Sequence, residues 1–180
     1  MNELIDLIKN YPDQIYALAA VCALLVSFLS IIFTLRALRL QRIHNYKSLT
    51  PIANILTADY ENELAVTIRN TGVGPLLVER FTVSDGEQKE DNVVCLMPQL
   101  PEGIYWTTFS PNIEGRCIPP NQDLVIIKLN GNSSDKAFAS FRDEVRLALS
   151  RLTVTLEYQD IYDRRMPPKQ RKLDWFAREK

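Results

Sequence analysis

"ELAVTIRNTGVGPLLVERFTV", residues 63–83, is the stretch whose reading decides the fold. Leu64, Val66 and Ile68 alternate with Ala65, Thr67 and Arg69, the period-two pattern of a strand with one buried face. Strand-like character resumes after Pro75, with Leu77, Phe81 and Val83. The question is what lies between. A phosphate-cradling loop needs several free backbone N–H groups converging at a helix N-terminus. Here Leu77 stands where a G-x-G-x-x-G motif needs its third glycine, Pro75 has no N–H, and a strand follows instead of a helix. The chain holds no G-x-x-x-x-G-K sequence either. The stretch reads as strand, turn or bulge, strand, with Gly72 and Gly74 permitting positive φ.

Further strands are expected around it. "NVVCLM", "IYWTTF" and "DLVIIKL" read as three, broken by Pro98, Pro101, Pro111 and Pro119–Pro120. In "RLTVTLEY", Leu152, Val154, Leu156 and Tyr158 alternate with Thr153, Thr155 and Glu157. "DIYD" then reads as a hairpin turn returning through Arg164 to Phe176. One helix interrupts: Phe138, Phe141, Val145, Ala148 and Leu152 recur at helical spacing, with Ser133 or Ser134 as N-cap. The prediction is a mainly β fold, an immunoglobulin-like β-sandwich or small barrel with one packing helix.

A different texture precedes this domain. Gln14 to Leu35 carries no charge over a length sufficient to cross a bilayer. A cleaved signal peptide would have a basic start and a shorter apolar run. Here Glu3, Asp6 and Asp13 outnumber Lys9 before the run, and Arg36 ends it, so the segment is expected to stay as a single transmembrane helix. Arg36, Arg39, Arg42 and Lys47 follow directly and place that side in the cytoplasm by the positive-inside rule. The expected order is a short outer N-terminus (1–14), a span (15–35), a basic juxtamembrane helix and linker (36–50) and a cytosolic domain (51–180), in the inner membrane. Within the span, Ala19, Ala23, Ser27, Ser30 and Thr34 fall on one helical face. Small residues let helices approach closely, so this stripe predicts a homo-oligomer; a water path lined by its hydroxyls is the sharper alternative.

The net charge of −1 conceals an asymmetry. Residues 48–163 hold 9 basic against 17 acidic side chains, while residues 164–180 hold 7 basic and 2 acidic ones. An acidic body avoids anionic lipid, so its basic ends would turn toward the bilayer. Arg164, Arg165, Lys169, Arg171 and Lys172, close to Trp175 and Phe176, form the candidate contact for an anionic ligand or lipid headgroup. DNA is not an expected partner.

Signals for catalysis are weak. Cys22, Cys95 and Cys117 lack metal-binding spacing, and one histidine, His44, leaves no basis for a His-dependent triad. Cys95 reads as core; Cys117 follows Arg116 but has no base near it in sequence. Asp160 with Asp163, and Asp59 with Glu61 and Glu63, read as turn carboxylates. The expectation is no enzyme, no cofactor and no metal.

The run L-x-V-x-I-R-N-T-G-V-G-P, then I-P-P-N-Q-D-L, then V-T-L-E-Y-Q-D-I-Y-D resembles a pattern seen in many bacterial membrane-anchored β-sandwich proteins of unassigned function. Those proteins have an N-terminal helix, an N-x-G-x-G-P turn and a terminal Y-x-D-x-Y-G hairpin. The resemblance covers most of Pro51 to Phe176; Asp163 replaces the final glycine, and the insertion from Asp91 to Arg116 is long. It implies architecture more than activity. The reading is a membrane-anchored binding module with a protein partner or an anionic small-molecule signal. In layout alone the chain also resembles membrane effectors of anti-phage signalling systems, which implies the alternative of a membrane-disrupting or pore-forming effector that senses a nucleotide-like signal.

Overall fold

The structure, a computed structural model, describes residues 12–178. The expected outer N-terminus, residues 1–14, falls almost entirely outside them. The chain divides into two compact units between Lys47 and Ser48. The first contains helix α1, Pro12–Ser48, up to its last residue; the helix has 37 residues, with Asp13 in its first turn and Lys47 in its last, both complementary to the helix dipole. At 1.5 Å per residue it is about 55 Å long, well beyond a hydrocarbon core of about 30 Å. Its most apolar window has a mean hydropathy of 2.6 and no buried residues. Pro51 follows and biases Thr50 away from helical geometry, which ends α1.

The second unit is two antiparallel sheets over a shared core, with one further helix. The strands are β1 (Ala53–Tyr60), β2 (Glu63–Asn70), β3 (Leu76–Ser84), β4 (Lys89–Glu90), β5 (Thr108–Phe109), β6 (Cys117–Ile118), β7 (Asp123–Asn130), β8 (Thr153–Gln159) and β9 (Lys169–Lys172). The first sheet runs β1-β2-β7-β5; the second runs β4-β3-β8-β9, with β6 also on β3. Alternation decides what goes inside. Ile55, Leu64, Val66, Ile68, Ile127 and Leu129 of the first sheet share one core with Leu76, Val78, Phe81, Val83, Val154 and Leu156 of the second. The helix, α2 (Lys136–Ser150), adds Phe138, Phe141, Val145 and Leu149 to that core. Its stripe continues through Leu149 rather than the half-buried Ala148, and Leu152 is buried beyond the helix end.

The structure corrects several local readings. β1 has no clear sequence signal, because Ala58, Asp59 and Tyr60 break its alternation. "NVVCLM" is not a strand: Val93–Leu96 form a 3₁₀ turn capped by the Asn92 side chain, and Cys95 is exposed rather than core. Of "IYWTTF" only Thr108–Phe109 pair. The cap of α2 is Asp135, whose carboxylate accepts the Ala137 N–H at 2.9 Å.

The hairpin tip carries a local conflict. Asp163 sits at φ 57°, in the left-handed region that glycine occupies without penalty. Asp163→Gly should therefore stabilise the protein by about 0.5–1 kcal/mol, the steric relief exceeding the added freedom of the unfolded chain. Urea unfolding of the full-length protein in micelles reads this directly, and a lower midpoint would count against it.

Candidate functional site

The N-T-G-V-G-P turn closes on the segment that follows α1. Asn70 is fully buried at the end of β2. Its Oδ1 accepts the N–H groups of Ile52 at 3.3 Å and Gly72 at 3.0 Å, and its Nδ2 donates to the carbonyls of Gly74 at 2.7 Å and Ile118 at 2.9 Å. One amide thus holds the β2–β3 turn, β6 and the segment leading into β1. The glycines serve this closure, and the reason differs from the expected one. Neither Gly72 nor Gly74 has positive φ. They are needed for close approach: a Cβ on Gly72 would lie 2.4 Å from the Ile52 nitrogen, and one on Gly74 would lie 1.8 Å from the Leu49 carbonyl oxygen. Residues Leu49 to Ala53 are therefore built into the domain's hydrogen-bond network. The Thr71 N–H donates to the Ile52 carbonyl at 2.9 Å, and the Tyr158 hydroxyl accepts the Ala53 N–H at 3.4 Å.

The Asp160 hairpin lies beside the same segment. Asp160 is fully buried; its carboxylate accepts the N–H groups of Tyr162 at 2.9 Å and Arg164 at 3.0 Å, and pairs with Arg164 Nε at 3.2 Å. Arg164 Nη2 reaches the Thr50 hydroxyl at 3.5 Å. These contacts employ the Asp160 carboxylate in shaping the turn, as an Asx-type residue does.

Asp59 does not lie in a solvated acidic turn with Glu61 and Glu63, as its neighbours in sequence suggest; its side chain is completely buried. Arg142 Nη2 lies 2.6 Å from Oδ1, Arg146 Nε 3.1 Å from Oδ2, and Arg178 Nη2 3.6 Å from Oδ2. Arg142, itself 5% exposed, also donates twice to the Tyr60 carbonyl, and Arg178 stacks over the Trp175 ring at 3.7 Å. One carboxylate thereby fastens the end of β1, helix α2 and the C-terminal 3₁₀ turn Asp174–Ala177 together. A signal was present in the sequence: Arg142 stands four residues after Phe138 and three before Val145, on the apolar face of α2. A guanidinium there requires a buried anion, and only the tertiary structure identifies it.

The five basic residues of the tail do not form one patch. Arg164 is at the Asp160 hairpin, and Arg165 pairs with Glu79, beside the β3 bulge. Arg171 reaches across the seam between the sheets to the Ile55 carbonyl and the Thr57 hydroxyl, covering the open edge of β1. Lys169 shares its side of β9, whereas Lys172 alternates to the opposite side. Arg36, Arg39, Arg42 and Lys47 are exposed along α1. On the stripe of α1, Ser30 Oγ donates to the Val26 carbonyl and Thr34 Oγ1 to the Ser30 carbonyl, both at 2.8 Å. Those two hydroxyl protons are used inside the helix, and the oxygen lone pairs remain. Among the described residues, no three His, Cys, Asp or Glu side chains converge as a metal site. No family model, curated protein or solved structure matches the chain.

Proposed function

We propose that this chain is a single-pass, membrane-anchored binding module. Its β-sandwich works on the cytoplasmic side without catalysis, and its copies associate through the span. The observation that carries this reading is the surface of α1. Leu18, Leu24, Val26, Phe28 and Phe33 are each more than 60% exposed, and they cover the circumference outside the small-residue stripe. Such a helix is apolar on nearly every side, which suits lipid and not water. The stripe of Ala19, Ala23, Ser27, Ser30 and Thr34 offers the one side on which two backbones approach closely. The resemblance to membrane-anchored β-sandwich proteins belongs to this reading.

Native mass spectrometry of the full-length protein in nanodiscs tests it. More than one copy per disc is expected, falling to one when Ala23, Ser27 and Ser30 are all replaced by Leu. A monomeric native protein, or an unchanged copy number in the variant, would refute association through the stripe. The second reading, an effector that permeabilises the membrane on sensing an anionic signal, is favoured by exposed cations on one sheet face: Arg80, Lys89 and Lys172. In that case dye release from vesicles carrying the protein would accompany the signal, and the Leu variant would abolish it.

A further inference from the structure

The outward side of the second sheet reads as a grid. Lys89 of β4 lies opposite Ser84 of β3, Ser84 opposite Thr153 of β8, and Thr153 opposite Lys172 of β9. The next row is Thr82, Thr155 and Gln170, and the third pairs Arg80 with Glu157. Because Phe81, Val83, Val154 and Leu156 point into the core, the alternating residues face out. All of them except Lys172, which stands at its β9 rim by register, line a shallow depression of about 490 Å³. Its first row is a lysine at each end with two hydroxyls between them. Three strand spacings put the two lysine Cα atoms about 14 Å apart, a gap that two long, flexible stems can close around a small anion. Ser84 Oγ already accepts the Gly86 N–H at 3.1 Å, which leaves its proton to donate outward.

The three cations of this grid outnumber its one carboxylate, Glu157, which lies opposite Arg80. Among the described residues, the side chains of Arg80, Lys89 and Lys172 make no hydrogen bond or ion pair. The carboxylates nearby in the fold are Glu157 in the third row, Asp85 and Glu87 in the β3–β4 turn, and Glu90, which follows Lys89 in β4 and alternates to the other side of the sheet with Val83. Asp85 is turned back on that turn, accepting the N–H groups of Glu87 at 2.9 Å and Gln88 at 2.8 Å. The outward face of the first sheet is different. There Arg69 pairs with Asp123 at 2.6 Å and Lys128 with Glu63 at 2.9 Å. The Arg69 hydrogen bond holds the Asp123 carboxyl below its usual range. One face neutralises itself; the other presents three cations and a row of hydroxyls in a domain whose residues 48–163 are acidic.

We propose that the outer face of β4-β3-β8-β9 binds a phosphate-bearing ligand. Lys89 and Lys172 neutralise one phosphate, and Ser84 and Thr153 donate hydrogen bonds to it. Thr82, Thr155 and Gln170 meet the polar body of the ligand, and Arg80 meets a second anionic group. The phosphate is that of a soluble nucleotide-like molecule or of a lipid headgroup, which share this chemistry. The proposal gives a ligand class to the binding module described above and rests on that reading.

Amine acetylation of the full-length protein, read by peptide mass spectrometry, tests it. In neutral phosphatidylcholine nanodiscs, inorganic pyrophosphate should lower labelling of Lys89 and Lys172 several-fold and leave the paired Lys128 unchanged. The same protection in phosphatidylglycerol discs without pyrophosphate assigns the site to headgroups. No protection of either lysine in both discs overturns the proposal. The Ser84→Ala, Thr153→Val variant keeps both lysines. It should need about tenfold more pyrophosphate for half protection, because it loses two hydrogen bonds to a charged group. An unaltered requirement overturns the site in favour of unspecific lysine–anion pairing. Copy number in the same discs reports the anchor reading separately, so the two failures are distinguishable.

Discussion

Asn70→Ala should destabilise the β domain by about 4 kcal/mol, moving its urea midpoint far below that of the native protein. The side chain is fully buried and bonds four main-chain groups: the N–H groups of Ile52 and Gly72 and the carbonyls of Gly74 and Ile118. Truncation takes a partner from all four at once, although the Ile118 carbonyl keeps its place opposite Leu76 in the β3–β6 ladder. Each buried polar group left without a partner costs roughly 1–3 kcal/mol. The total falls below the simple sum because Ile52 is half exposed and water can reach its N–H. Asn70→Asp should be no milder. It keeps the acceptor but sets a carboxylate against the carbonyl oxygens of Gly74 and Ile118. The full-length protein in micelles serves for the measurement, with Trp106 and Trp175, its two tryptophans, as reporters within the domain. A loss below about 1 kcal/mol for Asn70→Ala would show that the turn does not depend on this amide.

Asp59→Ala should be comparably severe, with a loss of roughly 3–5 kcal/mol, because it removes the buried anion of the Arg142 guanidinium and leaves it with Asp143, an exposed carboxylate 3.1 Å from Nη1. The three arginines do not suffer equally. Arg178 and Arg146 are 39% and 17% exposed and can turn toward water, whereas Arg142 at 5% cannot. Adding Arg142→Met to Asp59→Ala should recover at least about 1 kcal/mol, since the stranded charge is removed and an apolar chain of similar length fills its place. The Tyr60 carbonyl that Arg142 also holds belongs to an exposed residue at the end of β1 and can be hydrated. A double-mutant cycle in urea isolates the coupling. Equal stability of the single and double variants would mean that the cluster is fully hydrated and adds little to the fold.

These two positions differ in how far the sequence exposes them. The N-T-G-V-G-P turn is legible: alternation on both sides and Pro75 define it without any tertiary information. What the glycines do there is not legible, because close approach of residues 49–52 depends on a segment some twenty positions earlier. Asp59 is harder still. It is surrounded by Tyr60, Glu61 and Glu63, so its neighbourhood looks solvated, and the arginines that bury it lie more than eighty residues downstream on α2. The basic tail shows the same limit in reverse. Five cations close together in sequence read as one surface, yet strand alternation at β9 sends Arg171 to the seam and Lys172 to the outer face, while the hairpin engages Arg164.

By itself the sequence determined what depends on local chemistry: an apolar helix long enough for a bilayer, the strands with clear alternation, the packing helix and the turns between them. Those signals are periodic and short-range, so neighbouring residues suffice. Tertiary structure alone decided which strands are neighbours, which carboxylate is buried, what Gly72 and Gly74 make room for, and that Lys89, Ser84, Thr153 and Lys172 share one row. Each of these depends on backbone pairing between segments far apart in the chain, and that pairing is selected by the burial of the whole core rather than by any one segment.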